Sequence, residues 1–285
     1  MIDPSPSGGP LGVRLGAVEY LNARPLVCGL ERSPRFVVRY DVPSECARLL
    51  HTGAVDVGLI PSIEYLQSDA YRIVPDLAIV SRGAVASVAL FTTRPVRDVR
   101  SIAMDSSSRT SVALVRILCA RLFKIQPAIQ SLDPDLDEML RRADAALIIG
   151  DSALLMDPAK VRLKPHTTYE KSDQLPIEKI DLGEAWTEMT GLPFVWAFWA
   201  GRPDALTRDD IRALGEARNA GVRQSDAIAR AYFRDAPAHQ ELGARYLRDN
   251  IKYHLRDEER AGLEAFYRYA REAGAAPAAH ELRFY

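Results

Sequence analysis

The stretch from Val13 to Leu66, VRLGAVEYLNARPLVCGLERSPRFVVRYDVPSECARLLHTGAVDVGLIPSIEYL, decides the fold. Short apolar runs alternate in it with amphipathic ones: VRLGAV, the segment through Leu30, FVVRY, SECARLL, DVGLI and SIEYL. The apolar runs are of strand length and the amphipathic ones repeat at helical spacing. Such a βαβαβα rhythm calls for a largely parallel sheet covered by helices on both faces. Downstream, LAIVS and VASVALFTT are apolar and β-branched without a helical period, then meet Pro95 and the charged patch Arg97 to Arg100, which reads as strand followed by crossover.

A second βαβα set opens at SIAM and continues through RTSVALVRILCARLF, AIQSL, DLDEMLRRA and AALIIG, predicting a second, smaller α/β lobe. Charged residues from about Asp157 to Lys179 precede the helical DLGEAWTEMTG. Gly191 to Pro193 ends that helix before the strand FVWAFWA, placed to carry the chain back to the first lobe. Beyond it the pattern is helical. Thr207 with Asp210 three residues on is a capping box, and ARAYFRDA, ELGARYLRDN and RAGLEAFYRYA are amphipathic helices expected to clothe the first lobe. Residues 1–12, rich in Pro, Gly and Ser, read as a loose leader. The expected organisation is a first lobe from 13–92 plus 197–285 and a second from 93–196.

Composition narrows the function. The chain has 285 residues, with 37 Lys+Arg against 38 Asp+Glu and a net charge of −1, so no overall basic field draws in nucleic acid or an acidic membrane. Its length suffices for a large core, burying about three-quarters of the unfolded surface without disulfide or metal. Cys28, Cys46 and Cys119 have no C-x-x-C spacing and read as core thiols in a reducing compartment. The start has neither cationic n-region nor apolar h-region, so a cytoplasmic protein is expected. His51, His166, His239, His254 and His280 are scattered without ligand spacing, and no G-x-G-x-x-G, Walker loop, G-x-S-x-G or H-E-x-x-H occurs.

In open α/β sheets, ligands lie beyond the carboxyl ends of the strands, where loops meet helix starts. Those loops carry Asn22 and Arg24 after VRLGAV, Pro61 and Ser62 after DVGLI, and Ser87 in the strand-rich crossover. After SIAM come Ser107, Ser108, Arg109, Thr110 and Ser111, and at the end of AALIIG stand Gly150 and Asp151. Each has a plain structural reading: Ser108 or Ser107 as an N-cap, Asn22 as a turn residue, Asp151 as a cap, the arginines as surface cations. Against this, one cap needs one oxygen, and the loop after SIAM offers five hydroxyl residues and Arg109. Hydroxyls, amides and helix-end N–H groups are the inventory for a small carboxylate ligand, and arginines at such a site bind bidentately. Tyr20, Trp186, Trp196, Phe198 and Trp199 read as core aromatics rather than a stacking platform.

The strings EYLNARPL, DVPSE, DVGLIPSIEYL, VPDLAIVSRGAVASV, DSSSRTSVALVRIL, AALIIGDSAL and DLGEAWTEMTGLPFVWAFWA, in this order, closely resemble the chorismate dehydratase family of the futalosine route to menaquinone. The resemblance runs from Val13 to about Ala200. Glu19 stands where a small or neutral polar residue is expected, and 160–179 matches nothing familiar. The resemblance implies an α/β, two-lobed fold like type II periplasmic binding proteins, with two crossover strands and a ligand cleft between the lobes. It implies a hydro-lyase that converts chorismate to 3-[(1-carboxyvinyl)oxy]benzoate without cofactor or metal. Asn22 and Ser87 match positions nearest the reacting ring. Ser107, Ser108, Arg109, Thr110 and Ser111 match the carboxylate-binding loop. None of these supplies a base at neutral pH, so the substrate's enolpyruvyl carboxylate is the expected proton acceptor, with Asp151 and Glu64 as rivals on the protein. The alternatives are a small-anion solute-binding protein and the sister dihydroxynaphthoate synthase; a ligand-sensing transcription regulator would need a helix-turn-helix domain, which the sequence does not show.

Overall fold

Strand β1, Val13–Val18, starts half-exposed and is fully buried from Leu15 onward, because it lies between two parallel neighbours. Those neighbours are β2, Phe36–Asp41, paired from Val13↔Phe36 to Val18↔Asp41, and β3, Val57–Pro61. Between them runs α1, Pro43–His51. Pro43 opens it at a position where the missing N–H costs nothing, and Cys46, Ala47, Leu49 and Leu50 form its buried stripe. β4, Arg72–Ser81, completes the first pass. The computed structural model describes residues 12–105, 107–160, 177–277 and 281–285. Residues 1–11 of the expected leader, Ser106 and residues 161–176 of the charged stretch lie outside the described residues.

The chain then crosses into a second sheet. It contains β5 (Val88–Thr92), β6 (Ser101–Asp105), β7 (Ala128–Leu132), β8 (Ala145–Ile149) and β9 (Glu178–Asp181), in the order β7-β6-β8-β5-β9. Its helices are α2 (Arg109–Leu118), α3 (Leu136–Arg142), α4 (Gly150–Leu155) and α5 (Leu182–Thr190). Gly191, with φ +71°, ends α5, and the chain returns as β10, Phe194–Gly201, inserted between β3 and β4. The rest comprises α6 (Arg208–Arg223), α7 (Ser225–Tyr232), α8 (Gln240–Arg245), the short edge strand β11 (Ile251–Lys252) and α9 (Asp257–Glu272). α6 packs on the turn Leu21–Val27 and on β4, and α9 packs on β10 and on α2. The Thr207/Asp210 capping box forms at the start of α6.

Two boundaries differ from the sequence expectation. Val88–Thr92 belongs to the second sheet, not to a first lobe ending at 92, and Trp196 lies within the first sheet, not in a second lobe ending there. The change of sheet therefore falls at 82–87 and 182–193. Both strands are fully buried apolar runs, and nothing in such a run says which sheet it joins. Each sheet is parallel apart from the strand that carries the chain across, β5 or β10, and the edge strand β11. β5 runs antiparallel to β8 and β9, β10 runs antiparallel to β3 and β4, and the edge strand β11 runs antiparallel to β4.

In the second sheet, alternate residues face different cores. Leu90, Ile102, Met104 and Leu147 join the main core, while Ala89, Phe91, Ala103, Ala146 and Ile148 pack with Leu136, Met139 and Leu140 of α3. Cys46 and Cys119 are buried, and burial pushes both thiols up to about 12; Cys28 is half-buried. Among the described residues no helix is long and apolar enough to cross a membrane.

Candidate active site

The carboxyl ends of β1, β3 and β8 and the entrance to α2 meet at one cleft between the two sheets. Val18, Tyr20, Asn22, Ser87, Ser108, Ser111, Gly150 and Trp196 are among the residues that line it. Among the described lining residues none is Asp, Glu, Lys, Arg or His. Its polar groups are neutral amides and hydroxyls, and its walls are aromatic and aliphatic.

Ser108 caps α2: its Oγ accepts from Ser111 N at 3.4 Å and lies 3.0 Å from Ser111 Oγ. The capping and functional readings of Ser108 therefore hold together, since the capped helix end faces the cleft. Thr110 is used internally. Its Oγ1 accepts from Ile63 N at 3.2 Å and lies 3.4 Å from Ser62 Oγ, which donates to Val195 O at 2.8 Å. Ser62 and Thr110 thus stitch the lobes together behind the cleft. Ser107 stitches them through its backbone, taking the Ser44 N–H at 3.0 Å; its N donates to the buried Asp105 Oδ1 at 2.8 Å. Its Oγ is buried without a hydrogen-bond partner among the described residues.

Ser87 follows a loop held from several sides. Ser87 N donates to Val85 O at 2.8 Å across Ala86, whose φ of +63° is a strained value for a residue with a Cβ. Asp181, the cap of α5, offsets that strain by accepting from Val85 N at 2.9 Å and Ala86 N at 2.6 Å. Lys179 Nζ donates to Ala86 O at 3.2 Å and to Ala153 O at 2.7 Å. Burial lowers the Lys179 ammonium against the opposing pull of Asp181. Gly183 in the first turn of α5 has no room for a Cβ, which would fall 2.7 Å from Gly83 O. The Ser87 hydroxyl is itself 2.6 Å from the phenol of Tyr246, which is fully buried.

Asn22 sits in the turn Leu21–Val27, anchored where Tyr253 OH donates to its backbone carbonyl at 3.0 Å. Its side-chain Oδ1 is buried with no hydrogen-bond partner among the described residues. An unmet acceptor of this kind costs about 1–3 kcal/mol, so it marks a place where a ligand donor is expected. Gly150, with φ +67°, lies where a Cβ would be 2.9 Å from the Tyr20 ring. Burial raises the Tyr20 phenol to about 12, with Asp105, Glu19 and Asp151 adding to it against Ser107. Tyr20 and Trp196 are cleft walls rather than core, and Trp196 Nε1 donates to Ser81 Oγ at 3.0 Å. Trp186, Phe198 and Trp199 are core.

Three expected ligand residues are turned elsewhere. The Arg24 guanidinium lies 4.3 Å from the Tyr40 ring centroid and 5.3 Å from that of Tyr232, and donates to Glu19 O at 3.0 Å. Arg109 donates through Nη1 to both oxygens of Glu64 at 3.1 Å, on the far side of α2. Asp151 accepts from Leu21 N at 3.2 Å and from Tyr232 OH, a lobe-to-lobe tie, and burial pushes its carboxyl up against these two bonds. Long side chains at helix starts reach past the backbone that places them, so their sequence position does not fix where the charge goes. Sequence reading missed Tyr246, Asp181 and Lys179. Only Asp181 carries a local signal, as an Asp two residues before a glycine in a helix start.

With this geometry in hand, the chain can be compared with known proteins. A family model described as menaquinone biosynthesis matches residues 13–272. The chain belongs to this family. A chorismate dehydratase of Thermus thermophilus is 35% identical over 259 residues, covering 88% of this chain and 93% of that protein. Among solved structures, a protein of Archaeoglobus fulgidus superposes with a TM-score of 0.70 at 16% identity, covering 94% of this chain and 99% of that one. A Candida albicans protein with the generic periplasmic binding protein fold superposes with a TM-score of 0.61 at 11% identity, covering 95% and 92%. At these identities the structural likeness shows the fold: two α/β lobes of the periplasmic-binding-protein kind. The strings that carry the family resemblance bring Tyr20, Asn22, Ser87, Ser108, Ser111, Gly150 and Trp196 to the one cleft. Glu19, the departure from the family pattern, is exposed, and its backbone carbonyl is what the site's neighbours use.

Proposed function

We propose that the protein is a cofactor-independent hydro-lyase that dehydrates chorismate to 3-[(1-carboxyvinyl)oxy]benzoate. The observation that carries this is a neutral cleft with an unmet amide oxygen at Asn22 and a tethered hydroxyl at Ser87, in a chain of this family. The ring hydrogen beside the enolpyruvyl ether is acidic through conjugation with the ring carboxylate, and loss of the neighbouring hydroxyl makes the ring aromatic. The driving force is thus in the substrate. The protein has to orient it, stabilise charge on the ring carboxylate and let one proton and one hydroxide leave.

In this reading Ser108, Ser111 and the free N–H groups of the first turn of α2 take the ring carboxylate. Asn22 and Ser87 face the reacting carbons. The proton moves from the ring carbon to the substrate's own enolpyruvyl carboxylate, the C–H electron pair becomes the new ring double bond, and hydroxide departs to combine with that proton as water. The placement of the rival bases supports this route: Asp151 is tied to Leu21 and Tyr232, and Glu64 to Arg109 and His51.

The test is incubation of the purified protein with chorismate in EDTA, followed by mass-resolved chromatography. A product lighter by one water, with a benzoate-like spectrum and an enzyme-dependent rate, is the expected result. Chorismate that protects the protein against heat and emerges unchanged would instead mean a solute-binding protein on the same fold.

A further inference from the structure

We infer that Tyr246 is a positioning residue for the proposed dehydration, fixing the Ser87 hydroxyl so that its proton points into the cleft. The inference rests on the reading of the cleft given above, and its argument is one of donor and acceptor supply. Ser87 Oγ and Tyr246 OH are 2.6 Å apart, and both residues are buried. Among the described residues Ser87 Oγ is the one hydrogen-bond partner of that phenol. A fully buried phenol proton needs an acceptor, so it goes to Ser87 Oγ. Ser87 accepts at Oγ, and its own proton is left for the cleft.

This arrangement makes Ser87 a hydrogen-bond donor to the departing hydroxyl. The C–O bond breaks with its electron pair on oxygen, the Ser87 O–H steadies that charge, and the proton taken from the ring carbon completes the water. Ser87, Tyr246 and Asn22 end the cycle unchanged. Cooperative chains of this kind strengthen the terminal donor. Tyr246 stands on the segment Tyr246–Asn250 that follows α8, far in sequence from Ser87, and among the described residues nothing else holds its hydroxyl.

The experiment compares Y246F, S87A and the double variant with the unaltered protein on chorismate. Y246F is expected to lower kcat about 10-fold or more while KM and affinity for the product stay within about twofold. The double variant is expected to be no slower than S87A, because Tyr246 acts through Ser87. Undiminished kcat in Y246F, or losses that multiply in the double variant, would overturn the inference. Should Y246F fold poorly, 3-fluorotyrosine placed at 246 alone preserves the packing and makes the phenol a stronger donor; kcat is then expected to rise, and an unchanged or lower value counts against the inference. If the unaltered protein leaves chorismate intact, the proposed reaction falls and this inference with it. If it turns chorismate over and Y246F does so equally well, only the inference falls.

Discussion

Two polar clusters lie where the lobes meet, and they are built on opposite principles. Behind α2, Glu64 is almost fully buried and fully supplied: Arg109 donates to both its oxygens and His51 Nε2 donates at 2.9 Å, while His51 Nδ1 pairs with Tyr71 OH at 2.8 Å. Every strong group there has a protein partner, which fastens one lobe to the other. In the cleft, charge is absent from the described lining, and Asn22 Oδ1 is left without a partner. Full satisfaction marks a joint; an unmet buried acceptor in a neutral cleft marks a place kept for a ligand.

That contrast breaks most easily at the cleft. Ser87→Ala and Asn22→Ala are each expected to cost about 100-fold in kcat, with smaller changes in product affinity, as measured by steady-state turnover and product titration. Equal losses in both quantities would make them binding residues. Gly150→Ala combines a φ of +67° with a Cβ pressed into the Tyr20 ring. It should lower stability by about 2 kcal/mol in urea unfolding and weaken product binding.

The joint should respond to pH instead. Burial pushes the Glu64 carboxyl up, but His51 and Arg109 outweigh it and hold it below the ordinary carboxylate range. A carboxyl depressed in the folded state adds stability above its unfolded value, about 4.3, and that stability drains away as pH falls through the folded value. Glu64→Gln is expected to cost about 1 kcal/mol at pH 7 and to flatten stability against pH below about 5, because Arg109 is half-exposed and partly screened. An unflattened profile would remove Glu64 from the joint. The smallest effect belongs to Asp151→Asn: the amide oxygen can still accept from Leu21 N, and the amide NH2 in place of Oδ2 can donate to the Tyr232 oxygen, so kcat should stay within about threefold. A large loss with a shifted pH profile and intact product binding would make Asp151 the base and end the substrate-assisted reading.

Much of the fold was legible because local chemistry repeats along the chain. β1, α1 and β3 follow from the alternation in Val13 to Leu66, the cap at Ser108 from its hydroxyl, the stop at Gly191 from its freedom at positive φ. Asn22, Ser87, Ser108 and Ser111 were findable because loops after strands gather at one edge of each sheet. Tyr246 was not findable in this way. ELGARYLRDN reads as an amphipathic stripe, and nothing in that stripe says that one ring will carry its hydroxyl to Ser87.

What the sequence by itself determined is the α/β class, the two sets of strands and helices, the helix ends and the loops from which a site is drawn, since these depend on neighbours a few residues apart. The tertiary structure alone decided the exchange of β5 and β10 between sheets, the turning of Arg24, Arg109 and Asp151 away from the cleft, the meeting of Asn22 and Ser87 in it and the bond of Ser87 to Tyr246. Those outcomes depend on which distant groups satisfy one another's hydrogen bonds once water is gone, and that pairing is settled only when the two lobes close on each other.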